Sequence, residues 1–521
     1  MDFRFPHPPL PVLAGIILAC VVLLVVLLAW MFRSGGGHSY DERAAWRDAS
    51  QRWATRRRVR DLVVTDLPAV GRLWIGRFHN KIDLFAPLYH SLLVMAPSGS
   101  GKTSRLVVRN VLDFQGPSVV ASVKADLYKL THQARATLGT VNVFDLAGMM
   151  TSLAPGMHKV AWSPLLGIHS YQDAEKVAKS LSDSSKAGDP TGDVKGQRFW
   201  DAESGFLIAP LLWAAVCHGH SIRDVAGWVK EIETKDAQIQ ALIASSKDPR
   251  AMQDWLHFKS LSAKETKSSV AATAATVLAA WGRDEIRATV DIRQGHAQDG
   301  YELLDIDQLL DSDADTLYLV APMDTQDEFT AVFETLVNEV LRRIQLKSHA
   351  RGGLALTIPV FICIDEAANV APLRNLDKIV TTMRGLGCVL LTVWQDMAQL
   401  VAMYGPHRAK VVLNNHLAQV YLPGATLDPD TLKMITNAVG VDTYQEVTVS
   451  TSKQGGSRSV SHREVEVAPE WWLRNLPQGE AISILSNHPA IRTRLPGYWE
   501  DSRLMAVIPA DVTQAFANQY R

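Results

Sequence analysis

Eight consecutive residues have the types and the order that bind a nucleotide phosphate. They follow an apolar run at 92–95 and precede a helical pattern that starts near Leu106. Glycines let the backbone curl so that several N–H groups point at a phosphate, and the next helix adds the positive end of its dipole. A lysine then reaches the β- and γ-phosphates, and a threonine hydroxyl holds Mg²⁺. The predicted loop is Ala96, Pro97, Ser98, Gly99, Ser100, Gly101, Lys102 and Thr103, with Ala96 where the generic motif has glycine.

A pair of carboxylates could complete this site. Five apolar residues at 360–364 end in Asp365 and Glu366, as on a buried strand that carries acidic residues to the carboxyl end of a sheet. In P-loop hydrolases such an Asp holds the Mg²⁺ shell, partly through water, and the adjacent Glu polarises the attacking water. The pair alone is a weak signal. Downstream of the loop at 96–103, it predicts an Mg²⁺-dependent ATP-hydrolysing site.

Three further polar residues could act on the terminal phosphate. Gln395 ends the apolar run 388–394, where it could sense the γ-phosphate and orient water, or simply begin the next helix. Arg384 and Arg408 flank this element, and either could be an arginine finger that reaches the nucleotide of a neighbouring subunit. Each arginine also fits a structural or surface role.

These residues need alternating strands and helices to position them. Further apolar runs predict strands, and helical patterns such as 325–347 separate them; the runs are 72–78, 117–122, 140–146, 316–322 and 417–422. Such alternation predicts an α/β fold with a largely parallel sheet covered on both faces. Lys124 and Asp126 follow one strand, at the end of the sheet where ligands bind. The run 417–422 is expected to be the last strand of the core.

Residues 171–290 interrupt the strand pattern. They are alanine-rich and predict helices, with an exposed loop at 182–196. We expect an all-α insertion within a nucleotide-binding domain at 72–170 and 291–505, followed by a tail at 506–521. The insertion contains Trp200, Trp213, Trp228, Trp255 and Trp281. They are expected to form its core, because buried aromatics dominate small helical cores; a stacking platform for single-stranded DNA is the alternative.

The N-terminal residues predict one membrane helix. Residues 10–32 are uncharged and long enough to cross a ~30 Å hydrocarbon core. A cleaved signal peptide would have a shorter apolar core and an Ala-x-Ala-like site. One arginine precedes the span and eight lie within 33–60, so the positive-inside rule makes residues 1–9 a short extracytoplasmic tail and places the bulk of the chain in the cytoplasm. Residues 33–71 then form a basic juxtamembrane linker with a short helix at 41–62, which either rests on anionic lipid or merely connects anchor and body.

Composition narrows the class of protein. A chain of 521 residues can hold more than one domain, and its net charge of −1 provides no global basic field, so any contact with nucleic acid must be local. The segment 453–459 is rich in glycine and serine and predicts a flexible loop. The absence of Cys-x-x-Cys spacing argues against a zinc site, and apolar surroundings predict buried thiols for Cys20, Cys217, Cys363 and Cys388.

In this order, the motifs resemble those of type IV secretion system coupling proteins, the TraG/TraD-type conjugative DNA-transfer ATPases. The resemblance covers about residues 85–500. Besides the loop and the Asp-Glu pair, it rests on Ser-Val-Lys-Ala-Asp-Leu-Tyr at 122–128, Trp-Ser-Pro-Leu at 162–165, Phe-Trp-Asp at 199–201, the segment from Arg384 through Gln395 to Gly405, and Leu-Pro-Gln-Gly-Glu-Ala at 476–481.

The resemblance implies a RecA-like P-loop NTPase fold that binds ATP and Mg²⁺ and assembles as a homohexamer at the bacterial inner membrane. It implies that the insertion at 171–290 receives substrates. The implied partners are type IV channel components, a relaxase with single-stranded DNA, and secreted proteins. The expected function is ATP-driven recruitment and transfer of DNA, protein or both into a secretion channel.

Two other functions fit part of the pattern. A double-stranded DNA translocase of the FtsK type predicts a DNA-reading winged-helix domain after the core, for which we expect too few residues beyond 505. A substrate receptor would bind ATP for assembly, dock cargo through the insertion and have little motor activity.

Overall fold

The computed structural model describes two compact units. The described residues are 52–65, 68–122, 125–146, 148, 150, 153–185, 194–320, 326–424, 426, 428–452 and 455–520. The larger unit contains Arg52–Gly440 and Ala468–Arg521, and the described part of the smaller is Val441–Val467. The predicted tail at 1–9, the predicted membrane helix at 10–32, linker residues 33–51 and Lys124 lie outside the described residues.

The end of the linker differs from its prediction. Residues 53–59 are not helical, and a 3-10 turn follows at Arg60–Leu62. Ala54 and Val59 are buried, and the Ala54 N–H donates to the backbone oxygen of Ala490 at 2.9 Å. The prediction of a helix is therefore wrong over residues 53–59, because the apolar residues of this segment pack against the rest of the larger unit. Over the described ranges, no helix combines the length and apolarity that a membrane crossing requires.

Thirteen strands of the larger unit form one sheet. Their bounds are β1 Trp74–Phe78, β2 Ile82–Phe85, β3 Leu92–Met95, β4 Ser118–Ser122, β5 Val141–Asp145, β6 Met157–Ala161, β7 Glu302–Leu303, β8 Thr316–Val320, β9 Val360–Ile364, β10 Cys388–Trp394, β11 Ala418–Tyr421, β14 Glu480–Leu485 and β15 Ile491–Arg494. The order across the sheet is β2-β1-β15-β14-β11-β3-β10-β9-β4-β8-β5-β6-β7. From β11 to β7 all neighbours are parallel, and the other four strands continue the sheet antiparallel.

The central parallel strands are buried on both faces, which explains their nearly continuous apolar sequence. In β3, Leu93 and Met95 belong to one hydrophobic core, while Leu92 and Val94 belong to another. Since side chains alternate along a strand, the two cores lie on opposite faces of the sheet. The predicted α/β fold with a large parallel sheet is confirmed.

Helices cover both faces. Those with defined bounds are Val108–Asp113, Ala125–Ala136, Tyr171–Ser184, Val194–His218, Ile222–Lys230, Asp236–Ser245, Pro249–Ser260, Lys264–Leu278, Arg287–Val290, Ile306–Asp311, Gln326–Ala350, Ala367–Val370, Leu376–Met383, Met397–Asn415, Pro429–Val439, Glu470–Arg474, Ser502–Val507 and Ala510–Tyr520. A π-helical turn, Thr103–Val107, precedes the first of these.

The segment 171–290 contains helices and turns but no strand among its described residues. Trp228, Trp255 and Trp281 are buried, and Trp200 and Trp213 pack against the same core. This core is continuous with one face of the sheet, where Leu93 and Phe144 belong to it. The helices at 171–290 therefore share their core with the thirteen-stranded sheet instead of forming a separate one.

Several sequence expectations need correction. The run 417–422 is not the last strand, because β14 and β15 add antiparallel strands beside β11. Residues 455–459 do not form a loop, because β12 (Val441–Ser452) pairs with β13 (Gly455–Glu466) in a two-stranded ribbon, whose backbone ladder tolerates glycine and serine. Only residues 453 and 454 of the predicted loop lie outside the described residues.

Two further expectations are wrong in detail. The predicted tail begins within the helix Ser502–Val507, and a second helix, Ala510–Tyr520, follows it; Leu504, Ile508 and Phe516 are buried against the sheet. Cys363 and Cys388 are buried as expected, but Cys217 is exposed near the end of its helix. Cys20 lies outside the described residues.

Candidate functional site

The predicted phosphate-binding loop follows β3 at the carboxyl end of the parallel strands. Gly99 and Gly101 have φ angles of 79° and 82°, a left-handed backbone that favours glycine. Ala96 is buried, and its N–H donates to the backbone oxygen of Trp394 on β10 at 2.9 Å. The structure therefore accommodates a methyl group at position 96, and a hydrogen bond connects the loop to the neighbouring strand.

Lys102 is buried beside a carboxylate. Its Nζ lies 3.9 Å from Glu366 Oε1 and makes no hydrogen bond to the described residues. The Ser100 hydroxyl in the same loop is also buried without such a bond. A buried ammonium that has no hydrogen bond is costly, so the arrangement suits an anion with several acceptor oxygens, such as a phosphate.

Thr103 and Asp365 meet across the sheet. Thr103 Oγ1 donates to Asp365 Oδ2 at 2.8 Å. The Asp365 N–H donates to the backbone oxygen of Ala121 on β4 at 2.9 Å, which fixes the carboxylate at the end of β9. A hydroxyl and a carboxylate at this separation are hard oxygen ligands of the kind Mg²⁺ takes together with substrate phosphates.

Glu366 adopts an unusual backbone conformation. Its φ and ψ are 59° and 58°, in the left-handed region that a residue other than glycine rarely occupies. The next residues form the short helix Ala367–Val370, and Thr330 Oγ1 donates to the backbone oxygen of Asn369 at 2.9 Å. Such strain persists where the surroundings hold it, and here it accompanies a carboxylate that faces Lys102.

A buried carboxyl group lies behind this segment. Glu334, on the helix Gln326–Ala350, is fully buried and accepts the Arg374 N–H at 3.1 Å. Burial raises the pKa of Glu334 to about 8. No local pattern marks this glutamate in the sequence, because it sits on an otherwise ordinary amphipathic helix.

Gln395 lies between the two halves of the site. It follows β10, which pairs with β3 on one side and β9 on the other. Its N–H donates to Gln399 Oε1 at 2.9 Å, and its side chain is half-buried. The strand order therefore places Gln395 between the phosphate-binding loop and the Asp365–Glu366 pair.

The two candidate arginines lie in different settings. Arg384 is exposed in the turn before β10, at the opposite edge of the sheet from the loop, and its guanidinium has no hydrogen bond or ion pair among the described residues. Arg408 donates to Asp377 Oδ1 at 2.7 Å and to the backbone oxygen of Arg374. Arg408 is thus occupied within its own subunit, whereas Arg384 is available to another molecule.

Other sequence candidates lie at the margin of this site. Asp126 is in the first turn of its helix, Ala125–Ala136. Pro97, Ser98, Gly99 and Ser100 line an open cavity together with residues 474–480. Arg105 was not singled out from the sequence, although it is buried and joins the helix after the loop to Leu495 and Glu500. In the sequence, the only indication that Arg105 belongs near the site is its position three residues after Lys102.

A family model, Type IV secretory system Conjugative DNA transfer, matches residues 44–519. Protein VirD4 of Agrobacterium fabrum is 21% identical over 438 residues, which cover 81% of this chain and 60% of that protein. Conjugal transfer protein TraG of Escherichia coli is 23% identical over 559 residues, covering 95% of this chain and 83% of that protein. The chain thus spans about three fifths of the length of VirD4.

Solved structures show the same fold. The unbound conjugative coupling protein TrwBdeltaN70 aligns with a TM-score of 0.62 at 16% identity, covering 85% of this chain and 91% of that one. The plasmid coupling protein TrwB in complex with ADP and Mg²⁺ aligns with a TM-score of 0.57 at 17% identity, covering 78% and 85%.

Proposed function

Because this chain belongs to the conjugative DNA-transfer family of type IV secretory systems, we propose that it is an ATPase that drives DNA, a relaxase–DNA complex or protein into a secretion channel. The observation that carries the proposal is the contact of Thr103 with Asp365, beside Lys102 and Glu366. That TrwB was solved with ADP and Mg²⁺ supports ATP and Mg²⁺ as the ligands of this site.

In this proposal the loop binds the phosphates of ATP. Backbone N–H groups of residues 98–102 cradle them. The Lys102 ammonium, which has no hydrogen bond to the described residues, donates to the phosphate oxygens. Thr103 and Asp365 would hold Mg²⁺, which when bound would supply neutralisation of charge on the transferred phosphoryl group. No covalent intermediate is needed, because positioning and charge stabilisation account for most catalysis of phosphoryl transfer.

Glu366 and Gln395 act on the attacking water. Glu366 stands next to Asp365 and faces the lysine, so its carboxylate can orient the water and accept its proton. Gln395, between the two motifs, can contact the γ-phosphate and report its loss to the helix Met397–Asn415. An arginine from a neighbouring subunit of a homohexamer completes the charge stabilisation.

The proposed function also assigns a substrate-binding segment and a membrane anchor. The helices at 171–290 receive the substrate, and residues 10–32 anchor the chain in the inner membrane next to the channel components. The shared core of these helices with the sheet supports this role, because a change at the nucleotide site can reach them through continuous packing.

The test is Glu366→Gln in full-length protein, with Glu464→Gln, at an exposed position outside the site and outside 171–290, as the matched control. Glu366→Gln should keep Mg·ATP binding but lower hydrolysis by about 10²-fold or more and abolish conjugative transfer. Lys102→Ala should lose ATP binding as well. The control should match wild type in binding, hydrolysis and transfer.

If the Glu366→Gln variant transfers DNA at the wild-type frequency, the proposal that ATP hydrolysis drives transfer is wrong. That result would instead favour a substrate receptor, for which ATP binding alone suffices.

A further inference from the structure

The phosphate-binding loop has a second side that the proposed chemistry does not use. The reactive groups lie toward β10 and β9, on one side of β3, and β11 and β14 lie on the other. An open cavity of about 520 Å³ adjoins the loop. Its lining residues are 97–100 of the loop, Leu422 and Gly424 after β11, and 474–480 before β14. Neither Lys102 nor the two carboxylates line it.

We propose that this cavity binds the base and ribose of a nucleoside triphosphate, with Arg474 and Gln478 as the contacting side chains. The inference rests on the proposed function, which places the phosphates in the loop. If the terminal phosphate faces Glu366, the rest of the nucleotide leaves the loop on the opposite side, where the cavity opens. Its volume falls within the ~300–1,000 Å³ of sites for small ligands.

The far wall of the cavity is fixed to the phosphate-binding helix. Arg105, on the first turn after the loop, donates through Nη1 to the backbone oxygen of Leu495 at 3.0 Å and to Glu500 Oε1 at 3.1 Å. The Leu495 N–H in turn donates to the backbone oxygen of Gly479 at 2.6 Å. Loop and wall are thus connected by a short chain of hydrogen bonds, which preorganises the cavity for one ligand.

Two glycines permit the close approach of these segments. Gly479 has a φ of +84°, and a β-carbon there would lie 2.8 Å from Arg105 Nη1. A β-carbon on Gly424 would lie 2.6 Å from the backbone oxygen of Leu476. The segment Leu-Pro-Gln-Gly-Glu-Ala at 476–481, which the catalytic groups do not explain, thus shapes the wall of the cavity.

The lining has the chemistry of a nucleoside site. Leu422 and Leu476 supply a buried apolar floor. Arg474 and Gln478 are exposed, and neither side chain bonds to another described residue, whereas Asn475 already donates to the backbone oxygen of Trp471 at 2.7 Å. A guanidinium can stack on a heterocycle, and an amide can pair with the polar edge of a base or with a ribose hydroxyl.

The experiment compares ATP with inorganic tripolyphosphate, which carries the phosphates alone. Calorimetry on full-length protein in detergent, with Mg²⁺, gives Kd for both ligands in wild type and in Arg474→Ala/Gln478→Ala. Wild type should bind ATP more tightly than tripolyphosphate. The double variant should lose about tenfold in ATP affinity and keep its tripolyphosphate affinity within about twofold. Arg57→Ala/Gln240→Ala, at exposed positions elsewhere, should change neither.

Two results would overturn the inference: an unchanged preference for ATP in the double variant, or an equal loss for ATP and tripolyphosphate, which would place Arg474 on the phosphates. The Tm of each variant checks folding, and Gln478→Ala alone replaces the double variant if that does not fold. A different result would contradict the proposed function: wild-type protein that prefers ATP to tripolyphosphate but neither hydrolyses ATP nor supports transfer.

Discussion

At the residue scale, one hydrogen bond joins the two halves of the site. Thr103 and Asp365 are 262 positions apart, yet their side chains meet at 2.8 Å. Across the described part of the chain, no group of three or more His, Cys, Asp or Glu is placed to hold a metal. A site with one carboxylate and one hydroxyl suits Mg²⁺ that arrives with a nucleotide, because phosphate oxygens and water fill the other positions.

Thr103→Ala tests this pair. Loss of the hydroxyl removes one proposed Mg²⁺ ligand and a hydrogen-bond partner of Asp365, so we expect the Mg²⁺ concentration for half-maximal ATP hydrolysis to rise by at least about tenfold. Thr103→Ser keeps the hydroxyl and should remain within about twofold of wild type. The measurement is steady-state hydrolysis against Mg²⁺ at fixed ATP. An unchanged Mg²⁺ dependence in the alanine variant would remove Thr103 from the metal site.

At the element scale, a buried histidine links the strand that precedes Gln395 to the helix that follows it. His416 Nε2 lies 3.4 Å from Thr392 Oγ1 on β10, and its Nδ1 lies 2.8 Å from the backbone oxygen of Val412. Burial lowers the pKa of His416 to about 4. The folded protein therefore keeps this imidazole neutral at pH values where an unfolded chain, with a pKa of ~6.5, takes up a proton.

This buried imidazole makes the protein less stable in acid. Between pH 6.5 and about 4 the unfolded state binds the extra proton, so the free energy of unfolding falls as the pH falls through this window. His416→Gln should remove this part of the slope, about 1–2 kcal/mol between pH 7 and pH 5. Urea denaturation at both pH values measures it. His407→Gln, exposed on the same helix, is the control and should keep the wild-type slope; an equal slope in both variants would refute the role of His416.

At the scale of the whole molecule, the position of Arg384 favours a site shared between subunits. Arg384 lies at the edge of the sheet opposite its own loop, too far to act there, and its guanidinium is exposed. Arg408 is held by Asp377. We therefore propose Arg384 as the arginine finger of the proposed hexamer and a structural role for Arg408.

Mixing two inactive variants tests the shared site. Arg384→Ala should bind ATP but lose about 10³-fold in hydrolysis, and Lys102→Ala should not bind ATP. Mixed subunits should regain activity, because at about a quarter of interfaces an intact Lys102 would meet an intact Arg384 from the neighbour. Arg408→Ala should hydrolyse ATP near the wild-type rate. A mixture no more active than its components would exclude Arg384 as a finger in trans.

Much of the central parallel sheet could be predicted, because its sequence signals are local. The apolar runs before Ala96 and Asp365 become β3 and β9, since a strand buried on both faces needs a continuous apolar sequence. The pairing of the antiparallel strands is harder to predict from the sequence, because it joins distant segments: Arg77 on β1 lies opposite Arg494 on β15. The ribbon β12–β13 was missed, because its glycines and serines are typical of a loop.

By itself, the sequence determined the loop at 96–103, the Asp365–Glu366 pair and the helical character of 171–290, because each depends on neighbouring residues and their periodicity. The tertiary structure decided which distant groups meet. It brought Thr103 to Asp365, placed Arg384 at the far edge of the sheet, merged the helices at 171–290 with the sheet's core and set residues 474–480 beside the loop. Those contacts depend on the order of strands across the sheet, which a linear pattern of side chains does not encode.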